Sequence, residues 1–336
     1  METVRLACMA MATRFELVLG GEDPVWLRAV GEEALREIRR LDSQLSFYQS
    51  GSDVSRLNRL AGDQAVPVDA RLFRLLLRAR ELSNLTDGAY DPTVGPLMRC
   101  WGLTGREGRV PTDEEVSAAR SKTGVNLIDL VPHGRTVRYP VPGMEIDLGG
   151  IGKGFAVDEA IRIIREAGVR SGLLHGGTST VSSVGLTPDD IPWKVAIGAG
   201  ASAGEDFGGE ERVVGVAELS ELSGSALSVS EVGSKCFEAG GVVYGHVIDP
   251  RTGMPTGSAS LAAVSLPSAA DADALSTALL VAGGIGCETI RQRFPEARML
   301  VVGPSGRVVT SDFPSMSGGH ATGGDRFDER AGVARV

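Results

Sequence analysis

The stretch Asp147-Leu148-Gly149-Gly150-Ile151-Gly152-Lys153-Gly154 sets a carboxylate, a lysine and a run of glycines directly ahead of a helical pattern. Glycines let backbone N–H groups approach a ligand closely, and a helix N-terminus favours an anion. No Ser or Thr follows the Gly-Lys pair, so this is not a Walker A loop. The spacing Gly150-x-Gly152-x-Gly154 is also wrong for the dinucleotide fingerprint. On spacing alone, a tight strand-to-helix turn with a surface lysine explains the stretch equally well.

Three further constellations carry chemistry-bearing side chains. Tyr244-Gly245-His246-Val247-Ile248-Asp249-Pro250-Arg251-Thr252-Gly253 reads as a strand that delivers a histidine near its end, then turns at Asp-Pro-x-x-Gly. Such a histidine suits proton transfer near neutral pH or a phosphate contact, and a structural histidine is the alternative. In Asp273-Ala274-Leu275-Ser276-Thr277, positions i and i+4 share a helix face, so one carboxylate and one hydroxyl converge. Few, hard oxygen ligands suit Mg²⁺; the alternative is that Asp271 or Asp273 caps the helix and Thr277 bonds back to it. Finally, Thr86-Asp87-Gly88-Ala89-Tyr90-Asp91-Pro92-Thr93-Val94-Gly95-Pro96-Leu97 reads as an irregular surface loop. Its Tyr90, with Tyr48 upstream, has the shape to flank a flat ligand or to fill a core.

The elements that must position these residues are legible in outline. Residues 3–20 read as extended chain. Asp23-Pro24 opens a helix whose apolar positions Leu27, Val30, Ala34, Ile38 and Leu41 recur every three or four residues. Further helices are predicted over residues 70–85, from Lys153-Gly154 to near Gly168, and from Asp271 through Leu279. Short β-branched runs predict strands at Lys194–Ile197, Arg212–Val216, Val242–Ile248, Leu261–Leu266 and Met299–Val302. Strands and helices mix without strict alternation, which favours an α+β fold over a doubly wound parallel sheet. Gly198–Glu211 reads as a mobile loop, and 314–336 as a disordered C-terminal tail.

Composition narrows the function classes. The 336 residues are 42% hydrophobic and 23% charged, enough to bury a sizeable core. The net charge of −9 and only four lysines (Lys122, Lys153, Lys194, Lys235) argue against nucleic acid as the partner. Anionic small ligands stay open, because backbone N–H groups and a metal can hold phosphates. Cys8, Cys100, Cys236 and Cys287 form no CxxC pair, and with four histidines a zinc site is not expected. No apolar run reaches the roughly 18 residues of a membrane span. The N-terminus lacks a basic segment leading into a long apolar one, so a cytoplasmic location is expected, with a processed exported form also compatible.

Taken jointly, Asp147-Leu-Gly-Gly-x-x-Lys-Gly, His246-x-Ile-Asp-Pro-x-Thr-Gly and Asp273-x-x-x-Thr277 resemble the ApbE-like FAD:protein FMN transferases. The resemblance runs in order from Met11-Ala12-Thr13 to about Gly283. It implies an α+β fold with mixed sheets and flanking helices, with a flavin cleft between two intertwined lobes of one domain over 1–313. It further implies a Mg²⁺-dependent enzyme that cleaves FAD, attaches FMN to a Thr or Ser of an acceptor flavoprotein and releases AMP. By position, Gly150 (through its carbonyl), Asp273 and Thr277 match the family's metal site. Met11, Tyr48, Ala89, Tyr90, Asp91, Asp147, Lys153 and Val247 match positions that line FAD, and His246 matches the catalytic histidine. The same site would also serve an FAD pyrophosphatase giving FMN and AMP, or a non-catalytic flavin-binding protein. Two departures stand out: Ala12 where relatives usually carry Gly, and Glu231 in Val229-Ser230-Glu231-Val232, where relatives commonly carry Ser-Gly.

Overall fold

A computed structural model describes residues 2–105, 108–199, 212–219, 226–232, 236–314, 327–328 and 333–335. Eight strands build the main sheet: Glu2–Ala10, Thr13–Gly21, Ser171–Gly176, Thr180–Gly185, Ala226–Glu231, Leu261–Leu266, Arg298–Val302 and Val308–Ser311. Their order across the sheet is their order along the chain, and every neighbouring pair is antiparallel. Long insertions hang from this meander, and they carry the helices.

Both faces of the sheet are covered, which the two-residue strand period makes visible. On one face Leu173, Leu227, Val229, Leu261, Ala263, Leu300 and Val302 pack with Trp193, Val195 and Ile197 of the Trp193–Ala199/Arg212–Leu219 hairpin. The alternating residues Leu174, Ala226, Ala262, Val264, Met299 and Val301 enter a larger core with the helices. This is the expected α+β architecture. Among the described residues the parallel pairing is that of Val333–Arg335 with Trp193–Ala199.

The helices in chain order are α1 (Pro24–Leu45), α2 (Asp53–Leu60), α3 (Ala70–Leu85), α4 (Gly95–Cys100), α5 (Asp113–Arg120), α6 (Gly152–Glu166), α7 (Ala269–Ala282) and α8 (Gly286–Arg293). In α1 the Asp23 carboxylate accepts from the N–H groups of Val25 and Trp26, and of the predicted stripe Leu27, Ala34, Ile38 and Leu41 are buried, with Val30 partly so. Helices α1, α6 and α7 lie against the sheet, with α6 packed between the other two. Asp158 of α6 accepts the N–H groups of Ala269 and Ala270 and the Ser268 hydroxyl, fastening α6 to the start of α7. Arg78 of α3 holds Asp271 bidentately, at 2.8 and 2.6 Å.

Several boundaries differ from the sequence reading. The extended segment 3–20 is a hairpin, turning at Met11 (φ 49°) and Ala12 (φ 57°), the left-handed pair that a two-residue turn requires. Helix α6 begins at Gly152, so Lys153 and Gly154 lie inside its first turn. The strand expected over Val242–Ile248 stops at Gly245, whose Cβ position would stand 2.4 Å from Val232 Cγ1. His246 follows that strand rather than ending it. Segment Ala269–Arg293 is long and apolar enough to cross a membrane by length and composition, although no unbroken apolar run predicted one. It is 61% buried over its apolar window, and α7 fills the space between α6 and the sheet. Within the stretch read as a disordered tail, Phe327–Asp328 and Val333–Arg335 are short strands. The rest of that tail from 315 on, and the predicted mobile loop from 200 to 211, lie outside the described residues.

Candidate active site

The centre of the site is the first turn of α6 against the middle of α7. Gly154 has no side chain because none fits: its Cβ position would lie 2.1 Å from the Ala269 carbonyl oxygen. That close approach lets the Gly154 N–H donate to Asp273 Oδ2 at 3.0 Å, in a buried bond. Ser228 on the sheet donates to Asp273 Oδ1 at 3.2 Å, and Lys153 Nζ stands 4.0 Å from the same oxygen. Asp273 is 2% exposed. A buried carboxylate needs such partners, because desolvating an unpaired charge is very costly.

Asp273 does not cap its own helix. Ser268 does, accepting from the Asp271 N–H, while Asp271 is taken by Arg78. The capping alternative is thereby removed for Asp273, whereas Thr277 does bond back, its hydroxyl donating to the Asp273 carbonyl at 3.2 Å. Thr277 Oγ1 also lies 3.3 Å from Ser230 Oγ, and Ser230 pairs with Ser276 at 2.8 Å. Gly150 closes the group from the loop. A Cβ there would stand 3.4 Å from Thr277 Oγ1 and 3.2 Å from Tyr90 Cε2. Gly150, Asp273 and Thr277, singled out as a metal set, therefore converge. Hard oxygens with a single carboxylate fit a small divalent cation that keeps waters. Among the described residues no three His, Cys, Asp or Glu side chains gather as a metal centre, so a cation here would rest on this mixed oxygen set.

The loop ahead of α6 is pinned at Asp147, whose N–H donates to the Pro92 carbonyl and whose Oδ1 accepts the Gly149 N–H. Lys153 Nζ reaches back to the Gly149 carbonyl at 3.5 Å. Ala89 and Tyr90 are buried beside it. Asp91 is buried too, and its oxygens accept four donors: Thr93 N–H, Thr93 hydroxyl, Ser83 hydroxyl and Val125 N–H. Its side chain thus holds the loop's shape, tying it to α3 and the turn at Val125–Leu127. Burial, then the charges of Asp91, Asp273 and Asp147, push the Tyr90 phenol well above its usual range.

The remaining predicted residues stand at the rim. Tyr48 is 65% exposed and meets Phe47 edge to face, with ring centroids 5.4 Å apart. Partial desolvation and the Asp147 carboxylate raise its phenol, with Arg99 opposing. Met11 forms the hairpin turn, beside the Gly176-Gly177 corner where Gly177 leaves no room for a side chain against Thr13. Met11 and Val247 both pack on the edge of the main core. His246 is half-buried between Gly245 and the short Ile248–Asp249 strand. The following turn is locked: Asp249 accepts from Gly253 through its carbonyl and grips the Arg251 guanidinium, and Trp101 Nε1 donates to the Gly253 carbonyl. Arg251 Cγ lies 3.7 Å from the Cβ position of Gly88, so the histidine's turn touches the Tyr90 loop.

Sequence reasoning missed Ser228, Ser230 and Ser276. The signal for the first two is the alternation Ala226-Leu227-Ser228-Val229-Ser230, which places two hydroxyls on the helix-facing side and two apolar side chains on the other.

The sequence profile of the ApbE family matches residues 11–300. The chain belongs to the ApbE family. An FAD:protein FMN transferase from Vibrio cholerae serotype O1 is 33% identical over 252 residues, covering 74% of this chain and 72% of that protein. One from Escherichia coli K12 is 27% identical over 288 residues, covering 84% and 79%. Among solved structures, the ApbE protein of Thermotoga maritima superposes with a TM-score of 0.81 at 30% identity, covering 93% of this chain and 97% of that one. The apo flavinyl transferase ApbE of Pseudomonas stutzeri gives 0.75 at 30% identity, covering 89% and 90%. This ApbE chain therefore shares the family's fold over nearly its whole length.

Proposed function

We propose that this ApbE protein is a Mg²⁺-dependent FAD:protein FMN transferase. What carries the reading is the convergence of Gly150, Asp273 and Thr277 beside Lys153, in a chain whose relatives bear that activity. Lys153, in the first turn of α6, offers its ammonium to a pyrophosphate beside the glycine loop, so an acidic protein still has a local cation for a polyanion. Tyr48, Tyr90, Met11 and Val247 would border the flavin ring system. Gly150, Asp273 and Thr277 would hold the cation, which when bound neutralises charge on the pyrophosphate oxygens as a Lewis acid.

In the reaction a Thr or Ser hydroxyl oxygen of the acceptor protein forms a bond to the phosphorus of the FMN half. The bond from that phosphorus to the bridging oxygen breaks, and AMP leaves with the electron pair. The hydroxyl proton must go to a base, and His246 is the group this chain offers. The locked turn after it restricts where the imidazole can swing. Positioning and electrostatics do most of the work in such transfers, which suits a site of one lysine and one base.

Incubating the protein with FAD, Mg²⁺ and a Thr-bearing acceptor flavoprotein tests the reading. Acceptor-bound flavin fluorescence in a denaturing gel supports it. Release of free FMN and AMP with no labelled acceptor makes the protein a pyrophosphatase, and unchanged FAD makes it a binder.

A further inference from the structure

Ser230 of the sheet and Ser276 and Thr277 of α7 bring three hydroxyls together beside Asp273. Each hydroxyl has one proton to give and two lone pairs to receive. Ser276 is fully buried, and its hydroxyl donates to the Asp273 carbonyl at 3.0 Å. With that proton committed, the donor in the 2.8 Å contact between Ser230 Oγ and Ser276 Oγ is Ser230. Ser230 keeps its lone pairs, and Thr277 Oγ1 stands 3.3 Å from them. The Thr277 hydroxyl also reaches the Asp273 carbonyl, at 3.2 Å. That carbonyl lies inside α7, where it takes the N–H four residues on as well as the Ser276 hydroxyl. Two donors already fill its two lone pairs, so Ser230 Oγ is the less crowded acceptor.

We propose that Ser230 is a positioning residue for the cation site: it accepts the Thr277 proton and so frees a Thr277 lone pair for a divalent cation. The hydrogen bonds then run one way, from Thr277 to Ser230 to Ser276 to the Asp273 carbonyl. A hydroxyl that ligates a cation must present a lone pair and turn its proton away. The ion's charge also makes that proton a stronger donor, which calls for a fixed acceptor. Ser230 and Thr277 are both half-buried, so water competes only from one side. The inference rests on reading Gly150, Asp273 and Thr277 as the cation site of a flavin transferase, and it adds the group that orients one of those ligands.

A mutant cycle on the full chain tests this: wild type, Ser230→Ala, Thr277→Val and the double variant. Mn²⁺, which shares the preference of Mg²⁺ for oxygen ligands, is titrated into each with and without FAD. Free Mn²⁺ is read by electron paramagnetic resonance, and melting without cation is followed in parallel. Ser230→Ala should weaken Mn²⁺ binding about three- to tenfold, the effect of one hydrogen bond. In the Thr277→Val background the same substitution should change nothing, because no Thr277 proton is left to accept. Unchanged binding in Ser230→Ala overturns the proposal. Equal weakening in both backgrounds overturns it too, whatever the melting shows, since Ser230 then acts by holding α7 at large. If Thr277→Val binds too weakly to titrate, Ser230→Thr decides, because it returns a hydroxyl to the same Cβ. Recovery of wild-type affinity supports the role, and affinity no better than that of Ser230→Ala overturns it. Wild-type protein that binds Mn²⁺ but no FAD refutes the flavin reading alone, with the cycle still deciding Ser230. Wild-type protein that binds no Mn²⁺ in either condition removes the cation site and this role with it.

Discussion

Gly154 and Asp273 are joined by a buried hydrogen bond, backbone N–H to Oδ2, at the point where α6 and α7 approach too closely for any side chain on Gly154. One carboxylate therefore caps a neighbouring helix with one oxygen and faces the glycine loop's lysine with the other. Structure and chemistry share the same group.

Replacing Asp273 by Ala should show both losses. Leaving the buried Gly154 N–H without its acceptor should cost about 1–3 kcal/mol in denaturant unfolding. Mg²⁺-dependent turnover of FAD should disappear. Normal turnover at limiting Mg²⁺ would remove Asp273 from the metal site.

His246→Ala should bind FAD nearly as well as wild type, and transfer FMN about two to four orders of magnitude more slowly. Single-turnover transfer to an acceptor peptide at saturating FAD and Mg²⁺ is the relevant measurement. A rate within about threefold of wild type would leave His246 no role as base.

Ala12 sits at φ 57° in the hairpin turn. A left-handed conformation costs a non-glycine residue about 1–2 kcal/mol, so Ala12→Gly should stabilise the protein by about 1 kcal/mol. The gain should appear in the urea midpoint with an unchanged slope, and FAD affinity should hold. A lower midpoint would mean that the alanine methyl packs in a way that outweighs its backbone strain.

Glu37 of α1 is bonded by Arg40 and by Arg71 of α3, and these contacts hold its carboxyl below the ordinary value of 4.5; the Arg40 hydrogen bond has the largest effect. The folded chain consequently holds fewer protons than the unfolded one between the lowered and ordinary values. The stabilisation is complete above the ordinary value and is lost as pH falls through the lowered one. The pairing arginines are partly exposed, so its size is a fraction of a kcal/mol. Glu37→Gln should flatten the acid side of the stability profile, read as urea midpoints from about pH 6 to about pH 3. An unchanged acid slope would show that this pairing contributes nothing.

The sequence carried the candidate site further than it carried the sheet. Asp273 and Thr277 were readable because helical spacing forces i and i+4 onto one face, and Gly150, named with them on the family resemblance alone, lies against Thr277 in the structure. The first helix was readable because Asp23, Pro24 and a clean apolar stripe agree. Strands Ser171–Gly176, Thr180–Gly185 and Ala226–Glu231 were not, because serine and glycine occupy positions that periodicity counts as polar. These positions are nonetheless buried, and on the helix-facing side hydroxyls bond one another, as in Thr180 with Ser228 at 3.2 Å. The boundary of α6 was missed for a related reason. Its first turn is held by Asp273, a residue of another helix that no local signal announces.

The bond between Gly154 and Asp273 spans 119 positions of chain. Because the meander is completed in chain order, a growing polypeptide has the glycine loop long before it has the residues that give that loop its shape. Before α7 docks, there is no cleft to fill. Any small molecule that prefers the finished cleft therefore stabilises the whole fold by mass action, so its supply helps set how much of the newly made chain survives as native protein.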